Sequence, residues 1–448
     1  MRHTVLPLGD LAVNQRLFQR LSWLEQSQWW DRERVEAERN QRLAALIDIA
    51  YREVPFYRDL LDEARVKPAD IRCPEDLLKL PIVTKAMLRA NYPHRTCRDT
   101  GFRTYEVATS GSTGANFRTR EDMRTAGWYR ASFLLALDWA GWHIGERHLQ
   151  TGMNATRSLD RRLKDWVLRC HYVSAAQLSD ATLDQHLDVI DRYRLSHVWG
   201  YPGSLYFLAR RARQLRWNRP LRSLVTWGDS LHPHFRTTIE DTFQCRVHDT
   251  YGVAEGFQIS AQCGHGSTYH NHAFDTVVEY VNDAGDPVPE GQPGNLIVTR
   301  LWPGPMPFIR YQIGDVGVSA RSRSCACGRH WEVMESIQGR ATDNVVTPTG
   351  NRLVVHFFTG LLETFPEIDS FQVLQERVES MTLRIVPTAL YSAESETRIK
   401  KTLHERGADL NIEIERVKEI PLTPGGKRRF VLSSVGRVAV PPELKLGV

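Results

Sequence analysis

Two short segments decide the fold: Thr109-Ser-Gly-Ser-Thr-Gly114 near the start of the chain and Pro421-Leu-Thr-Pro-Gly-Gly-Lys427 near its end. Glycines without a Cβ atom let the first segment turn tightly and bring backbone N–H groups close to a polyphosphate, while hydroxyl side chains add further donors. The residues concerned are Thr109, Ser110, Gly111, Ser112, Thr113 and Gly114. The second segment presents one cation, Lys427, on a turn. Together the two segments predict a reaction between ATP and a carboxylate.

A P-loop is a different phosphate-binding motif, and the sequence excludes it. That motif is G-x-x-x-x-G-K-[ST], with a lysine directly after its second glycine. Here Gly114 is followed by Ala115, Asn116 and Phe117. A lysine that acts on the phosphates must therefore come from another part of the chain. Taken alone, the segment is equally consistent with an ordinary Ser/Gly turn.

Five segments together resemble the adenylate-forming superfamily of acyl-CoA synthetases, peptide-synthetase adenylation domains and luciferases. They occur in the superfamily's order and approximate spacing: TSGSTG at 109–114, Tyr251-Gly-Val-Ala-Glu255, Tyr311-Gln-Ile-Gly-Asp315, Gly339-Arg-Ala-Thr-Asp343 and PLTPGGK at 421–427. The resemblance covers nearly the whole chain. It is strongest to the phenylacetate-CoA ligase branch, particularly to capsule-biosynthesis proteins and deazaflavin-adenylylating synthetases. Leu80-Pro-Ile-Val-Thr-Lys85 is one of several supporting segments.

The resemblance implies a role for each motif, and the residue types suit those roles. Tyr251 would offer an aromatic face to adenine, Gly252 would permit close backbone approach, and Glu255 would hold Mg²⁺ against phosphate oxygens. Asp315 has two acceptor oxygens for the two hydroxyls of a ribose. The nucleotide would also contact Arg340, whose guanidinium forms a rigid fork of donors. Taken singly, these residues are also consistent with ordinary turn or surface positions.

The predicted catalytic residues are Lys427, Glu255 and Thr113. Adenylation brings two anions together, so Lys427 between the carboxylate and the α-phosphate would stabilise the charge that develops in the transition state. We expect an ATP- and Mg²⁺-dependent ligase that forms an acyl-adenylate, releases pyrophosphate and passes the acyl group to a thiol.

Coenzyme A is the acceptor that the resemblance implies. An amine or alcohol acceptor, AMP transfer to a hydroxyl, and a catalytically degenerate nucleotide-binding scaffold remain alternatives. Thr342 stands where many relatives carry a hinge aspartate. This substitution bears on whether the C-terminal domain rotates for the second step.

The small-molecule carboxylic acid is not identified by the sequence. Several aromatic or polar residues flank the motifs, and they favour an aromatic acid if they line a pocket instead of the core. They are Trp142, His143, Trp199, Tyr201 and Trp227.

Three of the seven cysteines form a pattern that suggests structural zinc. Cys325 and Cys327 are separated by one residue, and Cys263 begins an upstream segment that also contains histidines. Three thiolates and one imidazole complete a tetrahedral site, which related phenylacetate-CoA ligase-like proteins resemble. His270 is the expected fourth ligand, with His265 and His272 as alternatives. Unliganded thiols packed in an apolar cluster are the competing interpretation.

Composition predicts a protein of the cytoplasm. The chain has 448 residues, 42% of them hydrophobic, and a formal net charge of +5 from 58 basic and 53 acidic residues. This small charge gives little support for nucleic-acid binding. The chain contains no stretch of ~18 apolar residues that would span a bilayer. We therefore expect neither a nucleic-acid nor a membrane partner, and a monomer or homodimer.

The patterning predicts an α/β fold in two parts. Residues 1–338 would form a large N-terminal domain with helix-covered sheets, and residues 339–448 a small, mobile α+β domain carrying the catalytic lysine. Within the first part we expect a helical region at about 1–95 and a small zinc-bearing β subdomain at about 260–335. The latter follows from short strand-like runs separated by turn residues, such as Thr276–Val281.

Overall fold

The computed structural model describes residue 10 and residues 14–109, 117–152, 157–175, 179–322, 325–340, 345–349, 352–353, 355–362, 364–421 and 429–435. The phosphate loop at 110–116, residues 341–344 and Lys427 lie outside the described residues. The same is true of the side chains of Thr109 and Arg340.

Helices form the N-terminal part, as the sequence predicts. They are α1 (Leu17–Ser27), α2 (Arg32–Glu53), α3 (Pro55–Glu63) and α4 (Lys85–Asn91), with 3₁₀ turns at Pro68–Asp70 and Pro74–Lys79. Asp31 caps α2 by accepting a hydrogen bond from the N–H of Arg34 at 2.8 Å. Buried side chains recur along α2 at helical spacing, including Leu43, Leu46 and Ile47, which pack into the main core.

The next part is a hairpin followed by alternating strands and helices. The elements are β1 (Thr104–Thr109), β2 (Phe117–Asp122), α5 (Met123–Trp139), β3 (His148–Gly152), α6 (Leu159–Val167), β4 (Cys170–Ser174), α7 (Asp180–Arg192), β5 (His197–Gly200), α8 (Pro202–Gln214), β6 (Ser223–Thr226), α9 (Pro233–Phe243) and β7 (Val247–Val253). Strands β3 to β7 are parallel, in the order β4-β3-β5-β6-β7. This arrangement confirms the α/β prediction.

Antiparallel strands extend the same sheet beyond β7. They are β8 (Phe257–Gln262), β9 (Tyr269–Asn271), β10 (Thr276–Val281), β11 (Pro293–Arg300), β12 (Tyr311–Ser319) and β13 (Val333–Arg340). The complete order is β10-β11-β12-β13-β9-β8-β7-β6-β5-β3-β4. The strands of the β subdomain expected at about 260–335 are continuous with the parallel half, because β7 pairs with β8, β8 with β9, and β9 with β13.

The C-terminal part has its own sheet and core. Its elements are β14 (Val345–Val346), β15 (Arg352–Leu353), α10 (Val355–Leu362), β16 (Ile368–Arg377), β17 (Ser380–Pro387), α11 (Ala393–Glu405), β18 (Asn411–Arg416) and β19 (Val431–Ser433). Four strands pair in the order β18-β17-β16-β19. Phe371, Leu383 and Ile399 are among the side chains that pack into one apolar cluster of this part. Within the described residues, no helix is both long and apolar enough to cross a bilayer.

Candidate active site and metal centre

Tyr251 and Asp315, from two of the predicted motifs, are in direct contact. The hydroxyl of Tyr251, in β7, donates a hydrogen bond to Oδ2 of Asp315, in β12, at 2.6 Å. Both side chains are half-buried. Next to Tyr251, a Cβ atom on Gly252 would lie 2.5 Å from the carbonyl oxygen of Phe257, so only glycine fits there. The carboxylate proposed to contact ribose thus lies beside the aromatic ring proposed to contact adenine.

Glu255 is a buried carboxylate with two partners. Only 5% of the residue is exposed. Its Oε1 accepts a hydrogen bond from the hydroxyl of Tyr311 at 3.0 Å and lies 2.9 Å from Nζ of Lys85. Burial, and then the charge of Glu255, raise the pKa of Tyr311 well above its usual range, so this hydroxyl stays protonated and remains a donor.

The base of the predicted phosphate loop lies against the same group. Phe117 pairs in register with Thr109, so these two residues mark the ends of the hairpin that frames the loop. The ring of Phe117 is fully buried and stacks on Tyr311, with ring centroids 6.3 Å apart. Nζ of Lys85 is 5.2 Å from the Phe117 ring. Residues at the base of the loop therefore contact the partners of Glu255.

The segment that leads into the C-terminal part starts beside Asp315. Asp315 and Arg340 are register partners on the antiparallel strands β12 and β13. The preceding Gly339 has a φ of 89°, a conformation that favours glycine. A Cβ atom at this glycine would lie 3.7 Å from Oγ of Ser230, in the loop after β6.

A second contact between the two parts involves the same loop. Phe430, three residues after Lys427, meets the ring of His232 edge to face, with centroids 5.3 Å apart. Phe430 also contacts Phe371 of the C-terminal core at 5.2 Å. The loop at Ser230 to His232 thus lies beside Gly339, where the C-terminal part begins, and contacts Phe430, next to its last strand.

Sequence reasoning did not assign Lys85 or the buried pair Glu121 and Arg300 to the site. Lys85 occurs in the supporting segment Leu80–Lys85, which is the only signal that pointed to it. Glu121 in β2 and Arg300 in β11 form an ion pair whose side chains are 1% and 4% exposed. Burial raises the pKa of Glu121, although Arg300 opposes this shift. A Cβ atom on Gly256, the neighbour of Glu255, would lie 3.4 Å from Oε1 of Glu121.

The aromatic candidates fall into two groups. Trp142 and Trp199 are buried in one apolar cluster with edge-to-face rings, and His143 is exposed beside Asp138. Tyr201 follows β5 and Trp227 follows β6 directly, at the carboxyl ends of parallel strands, where open α/β sheets bind ligands. Tyr201 and Trp227 therefore lie where a substrate is expected, and Trp227 also packs against the apolar cluster, with its ring 6.4 Å from that of Trp199.

The structure brings the four predicted zinc ligands together. The ligand atoms of Cys263, His270, Cys325 and Cys327 all lie within 4.8 Å of one another. Sγ of Cys263 is 3.6 Å from Sγ of Cys325, and Sγ of Cys327 is 3.3 Å from Nε2 of His270. A tetrahedral ion with Zn–S bonds of about 2.3 Å separates two sulfurs by roughly 3.7 Å. The donor set and its spacing fit zinc.

The protonation of this cluster follows from its surroundings. Burial, and then the charge of Arg329, lower the pKa of His270 to about 4, so its imidazole is neutral, as a metal ligand requires. Burial raises the pKa of Cys263 to about 12. For Cys327 burial acts in the same direction, but hydrogen bonds and charge from Arg329 outweigh it and lower the pKa. His272 instead stacks on Trp139 at 5.7 Å.

Comparisons with known proteins agree with this geometry. Residues 168–303 match the AMP-binding enzyme family, and residues 345–434 match the CapK C-terminal domain. The chain is 27% identical over 372 residues to the phenylacetate-coenzyme A ligase of Thermus thermophilus, covering 77% of this chain and 79% of the relative. It is 21% identical over 421 residues to Protein CapK of Staphylococcus aureus, covering 88% of each.

A solved structure shares the fold. The crystal structure of 2-hydroxyisobutyryl-CoA ligase in the postadenylation state, in complex with 2-HIB-AMP, superimposes with a TM-score of 0.68 at 20% sequence identity and covers 89% of both chains. Motifs, fold and relatives lead to one conclusion: the chain carries an AMP-binding domain and a CapK-type C-terminal domain, and it is similar to the phenylacetate-CoA ligases of the adenylate-forming superfamily.

Proposed function

We propose that the protein is an AMP-forming ligase that activates a carboxylic acid with ATP, releases pyrophosphate and transfers the acyl group to coenzyme A. One observation carries the proposal. Hydrogen bonds from Tyr251 to Asp315 and from Tyr311 to Glu255 join two motifs that are about 60 residues apart in sequence. The phenylacetate-CoA ligases among the relatives support the same reaction class.

The nucleotide would bind where these contacts converge. Asp315 would accept hydrogen bonds from the ribose hydroxyls, and the ring of Tyr251 would pack beside the adenine. A buried carboxylate such as Glu255 is a ligand type that Mg²⁺ prefers, and the ion would neutralise charge on the phosphates. Lys85 and Tyr311 would keep the Glu255 carboxylate oriented before the nucleotide arrives. They are therefore proposed as positioning residues.

The chemistry would depend on residues that lie outside the described ones. Thr109 to Gly114 would donate hydrogen bonds to the phosphates, with Thr113 among the catalytic groups. Lys427 would stabilise the charge that develops as the acid's carboxylate oxygen attacks the α-phosphorus and pyrophosphate leaves. Arg340 is proposed to contact ribose or phosphate.

The acyl transfer would follow from the two-part organisation. We propose that residues 1–338 and 339–448 act as separate domains, and that the thiol of coenzyme A attacks the acyl carbon and displaces AMP. The loop at Ser230 to His232 lies beside Gly339, at the start of the smaller part, and contacts Phe430, next to its last strand. This loop is the surface along which the smaller part would move.

An aromatic acid is the proposed substrate class. Tyr201 and Trp227 follow the parallel strands β5 and β6 at the sheet edge where ligands bind in such folds. Phe133 lies 5.6 Å from the Trp227 ring, edge to face. These rings would provide apolar contact for an aryl group.

Zinc is proposed as a structural ion held by Cys263, His270, Cys325 and Cys327. Four protein ligands would leave no open coordination position, so the ion would not take part in catalysis. It would instead cross-link β9 to the loop before β13. All seven cysteines are free thiols, which fits the cytoplasmic location expected from the sequence.

A pyrophosphate-release assay tests the function. Purified protein is given ATP, Mg²⁺ and each of a panel of aromatic and aliphatic acids, and coenzyme A, amines or alcohols are then added separately. The proposal expects acid-dependent pyrophosphate release and a thioester only with coenzyme A. Nucleotide binding without pyrophosphate release for any acid would favour the catalytically degenerate scaffold. Product formed with an amine or an alcohol would show that this compound, and not coenzyme A, is the acyl acceptor.

A further inference from the structure

Helix α6 displays its apolar stripe to solvent. In the sequence Leu159-Asp-Arg-Arg-Leu-Lys-Asp-Trp-Val167, the large apolar residues Leu159, Leu163 and Trp166 recur at helical spacing on one face. They are 81%, 62% and 72% exposed. No residue of this helix is buried. The helix is amphipathic, yet its apolar face does not contribute to the core.

The neighbouring helix α7 shows the usual arrangement. Its apolar residues Leu183, Leu187 and Ile190 have the same helical spacing, but all three are buried. Both helices connect strands at the same end of the sheet, since α6 precedes the edge strand β4 and α7 follows it. The outward stripe is therefore particular to α6 and is not a general property of helices in this region.

An ion pair fixes the orientation of α6. Nε and Nη2 of Arg157 each donate to one carboxylate oxygen of Asp165 at 3.0 Å, a bidentate pair whose side chains are only 19% and 15% exposed. The guanidinium of Arg157 lies over the ring of Tyr172, in β4, at 3.7 Å. Asp165 thus anchors the polar face of the helix to the body. The opposite face, with Leu163, must point outward.

The surroundings of the stripe are basic. Residues 157–169 contain five basic and two acidic side chains, a net charge of +3 in a chain whose total is +5. Arg161, Arg162 and Lys164 are exposed on the helix itself. A short helix with Leu and Trp on one face and Lys and Arg on the other is typical of segments that lie in the interface of an anionic membrane.

Charge and area argue against a second copy as the occupant. A symmetric pairing would place this positively charged segment against itself, which is repulsive. The three apolar side chains expose roughly 400 to 500 Å², about half of the ~800 Å² that each partner buries in a specific complex. Shallow insertion into a bilayer has no such area requirement, and the amphipathic Trp ring suits the headgroup level.

We propose that α6 docks the protein on anionic lipid surfaces by inserting Leu159, Leu163 and Trp166 while Arg162 and Lys164, which flank this stripe, contact lipid phosphates. The initial expectation of no membrane partner rested on the lack of a spanning segment, which surface docking does not need. The proposal is independent of the ligase reaction. It concerns where the enzyme works and not how it works.

Vesicle co-sedimentation of the full chain tests the proposal. We expect binding to vesicles of phosphatidylcholine mixed with phosphatidylglycerol, weak binding to phosphatidylcholine alone, and a loss of binding at high salt. The double substitution Leu163→Gln and Trp166→Gln should reduce binding by roughly tenfold or more. Arg162→Gln with Lys164→Gln should reduce it only on anionic vesicles.

Matched controls distinguish docking through α6 from nonspecific adsorption to vesicles. Leu390→Gln removes a lone apolar side chain that is 65% exposed and far along the chain in the C-terminal part, and it should leave binding unchanged. All variants should keep the wild-type melting temperature, because the substituted side chains are exposed. The proposal is overturned if wild-type protein does not bind anionic vesicles or if the Leu163/Trp166 variant binds them as wild type does. It is also overturned if that double substitution converts a dimer in solution to a monomer, because a second copy of the chain would then cover the stripe.

Discussion

The hydroxyl of Tyr311 donates a hydrogen bond at 3.0 Å to Oε1 of Glu255, a residue 56 positions away in sequence. The same Glu255 oxygen is 2.9 Å from Nζ of Lys85, 170 positions from Glu255 in the other direction. Three separate segments therefore converge on one buried carboxylate. Such convergence is expected where a carboxylate must keep a fixed orientation toward a metal and a nucleotide.

Tyr311→Phe tests whether that orientation matters. Removing the hydroxyl leaves the ring in place but takes one donor from Glu255, so we expect acid-dependent pyrophosphate exchange to need a several-fold higher Mg²⁺ concentration. A titration of exchange rate against Mg²⁺ measures the effect. Tyr280→Phe, which removes another buried hydroxyl from β10, is the matched control. Identical Mg²⁺ dependence in the two variants would remove Tyr311 from the site.

Asp315→Ala should weaken ATP binding. If its carboxylate accepts hydrogen bonds from the ribose hydroxyls, the loss leaves those groups unpaired and costs about 1 to 3 kcal/mol of binding free energy. Isothermal titration calorimetry gives the affinity directly. Asp283→Ala, an aspartate in the exposed turn after β10, should bind ATP like wild type. Wild-type affinity in Asp315→Ala would contradict the assignment.

The zinc proposal predicts metal content and stability together. Purified protein should contain about one zinc per chain, and Cys325→Ser should lower both the zinc content and the melting temperature. Cys97→Ser, a thiol outside the cluster, should change neither. Because the ion is structural, Cys325→Ser should lose activity only at temperatures at which the protein also unfolds. Zinc-free wild-type protein of normal stability would show that the four residues are simply packed together.

The buried His148 should make the fold sensitive to acid. It stacks on Trp199 at 3.7 Å, and burial lowers its pKa to about 4 from an ordinary value of 6.5. Because the unfolded state binds this proton more readily, the stabilisation is complete above pH 6.5 and is lost as pH falls toward 4. From pH 7 to pH 5 this single group should remove about 2 kcal/mol of the free energy of unfolding.

Urea denaturation at the two pH values measures that loss. In His148→Phe the difference between pH 7 and pH 5 should be smaller than in wild type by about the same amount. The buried Asp249 and Asp275, whose pKa values burial raises to about 6, act in the opposite direction but are common to both proteins. An unchanged pH difference would show that His148 does not titrate with folding.

Local patterns predicted individual elements well. Thr276–Val281 is a β-branched run bounded by turn residues, and β10 has the same limits. The five motifs also pointed to Glu255 and Asp315, which the structure places in contact with Tyr311 and Tyr251. These predictions rest on periodicity and on residue types whose effects are confined to neighbours in sequence.

Long-range relationships could not be predicted in the same way. The pairing of β9 with β13, which makes one sheet of the two halves, depends on strands more than 60 residues apart. The approach of Lys85 to Glu255 is equally non-local. Periodicity shows that α6 is amphipathic but not which face meets the body, because the ion pair between Arg157 and Asp165 decides the orientation.

Pyrophosphate exchange by Lys427→Ala, compared with wild type, tests the central claim most directly. The account predicts that wild-type protein exchanges labelled pyrophosphate into ATP only when a carboxylic acid is present. Lys427→Ala should lower that rate by roughly a hundredfold or more while still binding ATP. Lys418→Ala, a lysine between β18 and Pro421, should behave like wild type. Acid-dependent exchange that is undiminished in Lys427→Ala, or absent from wild type for every acid tried, would contradict the account.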